Sequence, residues 1–346
     1  MSNVKILTPK GFRSFYKVAK KEGECIEIFF ADKSIKCTID HRFENNGKEI
    51  VANTLKVGDI LNDCEITAIK NIGVQTVYTP IMVADGHKYL SKGIINYNCS
   101  FIGSTATLID GQFLDKMVAI DPIRQEDNYH LNIYEDPIPG ALYVMGVDSS
   151  TGVGNDFCVV QILKVNSKDS FEQVAVYQNN KIKPYEYAQV IANLSARYNE
   201  AQMVIENNDC GKQVAEELWY NIGCGNILRT DRRGDIGTRA TQSTKLQACM
   251  MLKKAIETGK LILHDNETIS QLSRYEEISP NVFRGGKGQH DDLVSGLYWA
   301  VFCLNQPQID LEGAKVVTQS VTDDYAPPPC MFDESSDNSD FWRSFR

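Results

Sequence analysis

The sequence predicts a protein of two parts, an all-β region followed by a mixed α/β region. In residues 1–98, short runs rich in Ile, Val, Thr and Tyr alternate with turn residues, a pattern typical of β-strands. After Gly140, strand-like apolar runs alternate with segments that have the 3.6-residue period of helices. The 346 residues are enough for two domains with separate cores.

The first region contains four predicted strands and no long helix. The strands are expected at residues 25–30, 35–39, 65–70 and 75–83. Turns at residues 32–34 and at Asn71-Ile72-Gly73 separate the members of each pair. One short helix is predicted near residues 51–56. The whole region therefore suits a compact β fold.

The Asn98-Cys99 peptide bond is the chemical centre of the first region. The side-chain amide of Asn98 can attack its own main-chain carbonyl, which closes a succinimide and cleaves the chain before Cys99. The Cys99 thiolate can accept an acyl group beforehand, and His87 can move protons. Taken alone, His87 is more simply interpreted as a turn histidine. A catalytic interpretation therefore depends on the surrounding sequence.

That surrounding sequence resembles the C-terminal end of an intein. The matching blocks are Val77-Tyr78, Ile81-Met82-Val83, Asp85-Gly86-His87-Lys88-Tyr89 and Gly93-Ile94-Ile95-Asn96-Tyr97-Asn98-Cys99. Upstream, Thr38 and His41 fit the Thr-x-x-His block, which in inteins polarises the upstream scissile amide. The resemblance implies a Hint-like β fold and self-catalysed splicing that needs no cofactor. The residues it implies are Thr38, His41, His87, Asn98 and Cys99.

Two positions depart from the intein pattern. Tyr97 stands where His usually precedes the terminal Asn, and Thr79 stands where Asp often follows the Val-Tyr pair. These departures keep open an inactive intein relic or a docking module. No opening block precedes Thr38, and the first Cys is Cys25. The resemblance therefore implies the C-terminal fragment of an atypically split intein, with a short N-terminal piece on another chain.

The remaining chain divides into three predicted segments: a connection at residues 99–140, a domain at 141–304 and an acidic, largely disordered tail at 305–346. Predicted strands are residues 142–147, 157–163, 171–177, 203–205 and 261–263. Predicted helices are residues 112–119, one opening at Pro184, 212–220, 242–257 capped by Thr241, and a last one starting near His290. Three strands, a helix, a strand and further helices are the order of a ribonuclease H-like fold.

Acidic residues stand at three places where elements of this domain end or begin. Asp148 ends one apolar strand, Glu206 ends another, and Asp291 and Asp292 open a helix beside His290. A carboxylate at the end of a strand is unfavourable unless it is exposed to water or bound to a cation. Each acid alone also fits a turn or a helix cap. Together they predict a hard oxygen site for Mg²⁺ or Mn²⁺, and two such ions about 4 Å apart can promote phosphodiester hydrolysis.

These motifs resemble the nuclease part of the large terminase subunit of tailed bacteriophages. The matching segments are 143–152 with Asn155-Asp156-Phe157, Ile205-Glu206-Asn207-Asn208, Gly237-Thr238-Arg239-Ala240-Thr241, Thr244-Lys245 and His290-Asp291-Asp292-Leu293-Val294. Phe101-Ile102-Gly103-Ser104 resembles the segment that joins the terminase motor to its nuclease. The resemblance implies cleavage of concatemeric viral DNA during genome packaging. It implies Asp148, Glu206 and one of Asp291 and Asp292, with a slight preference for Asp292, as metal ligands.

Further polar residues are candidates for supporting roles in the nuclease. Asp156 could support the acidic site, and His290 is as readily an ordinary helix-start residue as a proton carrier. Candidates for contact with double-stranded DNA are Arg229, Arg232, Arg233, Arg239, Arg284 and Lys287. A solvated loop explains these basic residues equally well. A resolvase or transposase is the alternative ribonuclease H-like enzyme.

Composition and missing motifs limit the partners. Residues 1–98 carry 14 basic and 11 acidic side chains, whereas the rest carries 22 basic and 34 acidic, which argues against broad coating of nucleic acid. Ten scattered Cys without a C-x-x-C pair fit the reducing host cytoplasm, and no membrane segment is predicted. No Gly-Lys pair continues with Ser or Thr as a P-loop requires, so the terminase ATPase is expected on the separate partner chain. The family resemblance adds the portal and the small terminase subunit as partners.

Overall fold

The computed structural model describes residues 4–84, 86–98, 107–114, 116–150, 156–208, 210–229, 235–286, 288–311 and 315–316. The chain forms two compact units, Met1–Ile102 with Val118–Asp121 (unit 1) and Gly103–Met117 with Pro122–Arg346 (unit 2). The domain limits expected from the sequence stay a prediction. Most of the expected tail, residues 317–346, and the Phe101–Ser104 motif lie outside the described residues.

Unit 1 is built of short antiparallel strands around two long ones. The strands are β1 (Ile6–Thr8), β2 (Gly11–Arg13), β3 (Phe15–Phe29), β4 (Ser34–Thr38), β5 (Arg42–Asn45), β6 (Lys48–Val51), β7 (Ile60–Leu61), β8 (Cys64–Glu65), β9 (Ala68–Val83), β10 (Lys88–Ser91) and β11 (Ile94–Tyr97). One sheet has the order β4-β3-β9 and another the order β10-β11-β5-β6. A 3₁₀ turn at Ala52–Thr54 occupies the place of the predicted short helix.

The core of unit 1 forms between these sheets from alternating apolar residues. Its buried members include Ile26, Ile28, Phe43, Leu61, Ile66 and Ile94. Side chains of a strand point alternately to its two faces, so Ile26 and Ile28 alternate with the less buried Glu27. The β5–β11 pairing brings Phe43 opposite Asn96 and thereby places a polar side chain at the edge of this core.

The predicted turn at Asn71-Ile72-Gly73 is wrong. β9 runs through it, because Gly73 pairs with Cys25 and Asn71 pairs with Ile26, which leaves Ile72 as the extra residue of a β-bulge. The Asn71 Oδ1 accepts a 2.8 Å hydrogen bond from the Gly73 N–H, and Gly73 has a φ of 70°. The residues that suggested a turn therefore make a bulge inside a sixteen-residue strand.

Unit 2 combines one large sheet with helices. Its strands are β12 (Arg124–Glu126), β13 (Leu131–Ile133), β14 (Leu142–Asp148), β15 (Cys158–Ser167), β16 (Ser170–Asn179), β17 (Gln202–Ile205), β18 (Leu261–Ile262), β19 (Tyr275–Ser279), β20 (Val282–Gly285), β21 (Ile309–Asp310) and β22 (Lys315–Val316). Its helices are α1 (Gly111–Leu114), α2 (Pro184–Arg197), α3 (Cys210–Glu216), α4 (Gln242–Glu257), α5 (Asn266–Leu272) and α6 (Asp292–Leu304), and a π-helical segment, Glu217–Ile222, follows α3.

The topology of the large sheet is that of a ribonuclease H-like fold. The strand order is β12-β13-β16-β15-β14-β17, in which β14, β15 and β16 form an antiparallel meander. Helix α2 then crosses over, and β17 pairs parallel with β14. The prediction of an all-β unit followed by an α/β ribonuclease H-like unit is confirmed.

Helix α6 lies directly against strand β14. A Cβ atom added to Gly146 would stand 2.0 Å from the Gly296 carbonyl oxygen and 2.2 Å from the Ala300 nitrogen. The backbones of strand and helix therefore touch, and no larger residue fits at Gly146. Since Asp148 is two residues further along β14 and Asp292 begins α6, this contact fixes the distance between the two acids.

Several elements differ from the sequence-based expectation. The predicted helix at 112–119 is the single turn Gly111–Leu114, and that at 212–220 is split between α3 and the π-helical segment. Helix α4 has the predicted limits, and the Thr241 hydroxyl caps it by accepting a hydrogen bond from the Thr244 N–H. Among the helices of the described residues, none is long and apolar enough to cross a membrane.

Candidate functional site

A cleft of about 810 Å³ opens in unit 2 where β14 and β17 end. The parallel register pairs Val147 with Ile205, so the next residues, Asp148 and Glu206, leave the sheet side by side. Both line the cleft together with Asp291 and Asp292 from the start of α6. The structure thus brings together all four acids that the sequence singled out.

Burial and mutual repulsion disfavour ionisation in this cluster. The pKa of the half-buried Asp148 is raised well above its usual range by loss of hydration and then by the charges of Glu206 and Asp292. Burial raises the pKa of Asp292 to about 6. One Asp292 oxygen, Oδ2, is buried without a hydrogen-bond partner in the described part of the chain, and it lies 3.4 Å from His290 Nδ1.

Glu206 already contacts two groups of the protein. Its Oε1 lies 3.2 Å from Lys245 Nζ, and its Oε2 accepts a 3.1 Å hydrogen bond from the indole N–H of Trp299. Lys245 also lowers the pKa of Asp148, although less than burial and the neighbouring acids raise it. Within the described residues, no three Asp, Glu, His or Cys side chains stand ready-grouped around one metal position.

The two neighbouring aspartates differ in their contacts. Asp291 Oδ2 accepts a 2.9 Å hydrogen bond from the backbone N–H of Gly285, the last residue of β20. Asp291 therefore holds the β19–β20 hairpin, a feature the sequence did not predict. Asp292 has the larger effect of the two on the pKa of Asp148. Of the two aspartates, Asp292 therefore acts more strongly on Asp148, whereas Asp291 is bonded to the hairpin.

The remaining candidate residues are scattered. Asp156 and Arg284 line the cleft, and Arg239 lines a neighbouring cleft of about 570 Å³. The Arg229 guanidinium stacks 4.3 Å above the Trp219 ring, so one face of the guanidinium packs against the indole. His290 packs edge-on against Phe157 at 5.2 Å. Arg232, Arg233 and Lys287 lie outside the described residues.

The donor set of the cleft fits a hard divalent cation. Asp148, Glu206 and Asp292 offer carboxylate oxygens, the ligands that Mg²⁺ and Mn²⁺ prefer. Within the described residues, Asp292 Oδ2 is buried without a hydrogen bond, and burial with neighbouring carboxylates raises the pKa of Asp148. A bound cation would relieve both.

A second group of candidate residues lies in unit 1. Thr38 is buried at the end of β4, and its carbonyl accepts a 3.0 Å hydrogen bond from the His41 N–H. Asn98 is buried, and its N–H donates a 2.9 Å hydrogen bond to the His87 carbonyl. His87 adopts a φ of 59°, which places it in a tight turn. Cys99 lies outside the described residues.

His41 is held by a residue that the sequence analysis did not single out. Its Nε2 lies 2.9 Å from Asn96 Oδ1, and its ring packs edge-on against Phe43 at 4.8 Å. Burial lowers the pKa of His41, and the hydrogen bond to Asn96 opposes this only in part. A signal was present in the sequence, because Asn96 is polar within the strand-like run Ile94-Ile95-Asn96-Tyr97.

Fold and acidic cleft define unit 2 as a ribonuclease H-like domain with the donor set of a metal-dependent enzyme. Residues 145–303 match the model of the family described as Terminase RNaseH-like domain. Structures of the large terminase nuclease from thermophilic phage G20c, with bound cobalt or magnesium, are 21% identical with a TM-score of 0.46. The matches cover 57% of this chain and 98% of theirs.

Two further solved structures are similar to the second and the first part of the chain, respectively. The large terminase nuclease domain of Thermus phage P74-26 is 24% identical with a TM-score of 0.41, and the match covers 54% of this chain and 91% of that one. A consensus engineered intein with an atypical split site is 32% identical with a TM-score of 0.26, over 28% of this chain and 83% of its own. The chain is therefore similar to an intein in its first part and to a terminase nuclease in its second, as the sequence motifs indicated.

Proposed function

We propose that unit 2 is a divalent-cation-dependent DNA endonuclease, the nuclease part of a large terminase subunit, which cuts concatemeric viral DNA during packaging. The observation that carries this proposal is the convergence of Asp148, Glu206 and Asp292 on one cleft in a ribonuclease H-like sheet. The family match over residues 145–303 supports it and favours a terminase over a resolvase or transposase.

The chain's own residues would bind the cation and the DNA. Asp148, Glu206 and Asp292 would hold Mg²⁺ or Mn²⁺; the similar G20c nuclease has been solved with magnesium, cobalt and zinc. When bound, the cation supplies positive charge that polarises the scissile phosphate and makes water a better nucleophile. The exposed Arg284 and Arg239 would contact DNA phosphates on either side of the acids.

Nicking of supercoiled plasmid tests this proposal. The full chain should nick DNA with Mg²⁺ or Mn²⁺ and not with EDTA. Asp148→Ala should lower the rate by about 10²- to 10³-fold, because a cation ligand is lost. The control is Asp169→Ala, since Asp169 is an exposed partner of Lys260 outside the cleft. Equal rates for wild type and Asp148→Ala would exclude Asp148 from the site.

We further propose that unit 1 is a protein-splicing domain that joins this nuclease to an ATPase carried, with the N-terminal intein piece, on a separate chain. The observation that favours it is that four of the five residues implied for splicing belong to one small unit. Backbone hydrogen bonds join His41 to Thr38 and Asn98 to His87. Its similarity to inteins is consistent with this role.

The chemistry uses only groups of the two chains. The Cys99 thiol attacks the carbonyl that joins the partner's ATPase to its N-terminal intein piece. A thioester to Cys99 forms, the bond to the intein piece breaks, and that piece leaves with the proton, while His41 assists at this upstream junction. The Asn98 side-chain nitrogen then attacks the Asn98 carbonyl carbon, the bond to Cys99 breaks, and the proton passes to the freed Cys99 amine with help from His87. An S-to-N shift finally leaves an ordinary peptide bond. The mature enzyme would work in the host cytoplasm, with the portal and small subunit as partners.

Intact mass after co-expression with the terminase ATPase chain tests splicing. A product joined at Cys99 and a released fragment 1–98 are expected. Asn98→Ala should instead accumulate a branched intermediate, because thiol transfer remains possible while cyclisation does not. Two unchanged masses would leave unit 1 as a relic or a docking module.

A further inference from the structure

Asn96 is an almost fully buried polar residue in a strand that otherwise packs apolar side chains. It is 2% exposed and lies opposite Phe43 where β11 pairs with β5. An amide without hydrogen-bond partners at such a site would destabilise the fold. Both ends of this amide are paired, however, and the pairing is directional.

The orientation of the Asn96 amide follows from its two partners. Its Nδ2 donates a 2.7 Å hydrogen bond to the Ile94 carbonyl, which can only accept. The Oδ1 therefore faces His41 Nε2 at 2.9 Å. Because an amide oxygen can only accept, His41 must carry a proton on Nε2.

The rest of the His41 environment keeps the ring in place. The backbone N–H of His41 donates a hydrogen bond to the Thr38 carbonyl, and the backbone carbonyl of His41 accepts one from the Ala52 N–H at 2.7 Å. Phe43 packs against the imidazole ring. The charged groups that act on it are Asp40, Lys21 and Arg42, and they matter less than burial. A neutral imidazole with a proton on Nε2 has its lone pair on Nδ1.

We propose that Asn96 is a positioning residue for splicing that holds His41 as the neutral Nε2–H tautomer and keeps Nδ1 as the nitrogen that accepts a hydrogen bond or a proton at the upstream junction. This inference rests on the proposed splicing function of unit 1. It also links the two junctions, because Asn96 lies in β11 and Asn98 directly follows the end of that strand at Tyr97. A shift of β11 would move both His41 and Asn98.

The first test is nitrogen NMR of the full chain labelled with ¹⁵N-histidine, compared with His41→Gln for assignment. In the wild type, His41 should show a protonated, pyrrole-type Nε2 and an unprotonated, pyridine-type Nδ1. Asn96→Val should give a mixture of tautomers. Asn96→Asp should keep the Nε2 proton and raise the pH at which His41 becomes doubly protonated, because it keeps the acceptor and adds a charge. Asn53→Val, at an exposed asparagine of the same unit, should change nothing.

A protonated Nδ1 in the wild type, or an unaltered His41 spectrum in Asn96→Val, would overturn the inference. Should Asn96→Val fail to fold, the wild-type tautomer and the Asn96→Asp shift still decide. In co-expression with the partner chain, Asn96→Val should slow cleavage at the upstream junction at least about tenfold. If the wild-type protein shows the Nε2–H tautomer of His41 but does not splice, the splicing function is refuted, while the positioning of His41 by Asn96 is retained.

Discussion

The two candidate sites of this chain handle charge in opposite ways. In unit 1, the half-buried His41 has a lowered pKa, and the amide of Asn96 has a partner at each end. In unit 2, carboxylates crowd one cleft, and the pKa values of Asp148 and Asp292 rise because each loses hydration and is repelled by neighbouring carboxylates. The polar groups described at the unit 1 site are paired within the protein, whereas the unit 2 site has excess negative charge.

This difference shows what each site needs from outside. A neutral, hydrogen-bonded site is organised before its substrate arrives, so it requires only a peptide in the right place. A cluster of like charges is unfavourable until a cation enters, and its stability then depends on that cation.

The largest effect should separate the two adjacent aspartates. Asp292→Asn should lower plasmid nicking by about 10²- to 10³-fold, because it removes a cation ligand. The same change should raise the melting temperature of the cation-free protein, because it removes a repelling charge. Asp291→Asn is the matched variant and should weaken the hold on the β19–β20 hairpin with a far smaller loss of rate. Equal losses from both variants would contradict the assignment.

The next effect concerns the skeleton of the acidic cleft. Gly146→Ala should destabilise unit 2 by roughly 3 kcal/mol, because the new methyl group collides with the backbone of α6. Calorimetry should show a lower transition for unit 2 and an unchanged one for unit 1. Gly286→Ala is the control, since a Cβ there meets its nearest atoms at 3.8 Å. A wild-type transition in Gly146→Ala would show that the contact can relax.

A smaller effect is expected at Lys245, the cation that the protein itself places beside Glu206. Lys245→Met should destabilise the cation-free protein by less than about 1 kcal/mol, because the pair is partly exposed. It should also tighten Mg²⁺ binding several-fold, since the metal no longer competes with the ammonium group. Isothermal titration with Mg²⁺ measures this directly, and Lys254→Met, at an exposed position of the same helix, is the control. Weaker binding in Lys245→Met would mean that Lys245 supports the cation.

The smallest effect is a pH dependence of unit 1. Burial holds the pKa of His41 below its usual 6.5, so below that pH the unfolded chain binds a proton that the folded unit does not. Stability should therefore be constant above pH 6.5 and fall as the pH is lowered, by at most about 1.4 kcal/mol per pH unit. Denaturant unfolding between pH 7.5 and 5.5 measures this slope. His41→Gln should flatten it, and an equal slope in that variant would assign the effect to another group.

The sequence was most informative where local pattern and tertiary structure agree. Strand β14 and helix α4 were predicted because apolar runs and a cap residue mark their limits. Glu206 and Asp148 were singled out because a carboxylate at the end of an apolar strand is unusual, and the structure places both in one cleft. The long β3 was seen only from residue 25, since lysines interrupt its first half and cross-strand pairing with β9 is what makes it a strand.

The features that the sequence did not reveal depend on contacts between distant residues. The hydrogen bond from His41 to Asn96 spans 55 positions, and that from Trp299 to Glu206 spans 93. Neither partner marks the other by type or spacing. The sequence could not separate Asp291 from Asp292 for the same reason, because what distinguishes them is a bond to Gly285 in a hairpin formed by tertiary packing.

The backbone contact between β14 and α6 also carries information about descent. Gly146 precedes Asp148 by two positions, and Gly296 follows Asp292 by four. Since a side chain at Gly146 would collide with the Gly296 carbonyl and one at Gly296 with Val159, drift at either site is restricted by shape and not by chemistry. A related chain that has lost the acids but kept both glycines would descend from a nuclease and retain only its fold. A chain that kept the acids without the glycines would need a different packing of strand and helix to hold the acids at the same distance.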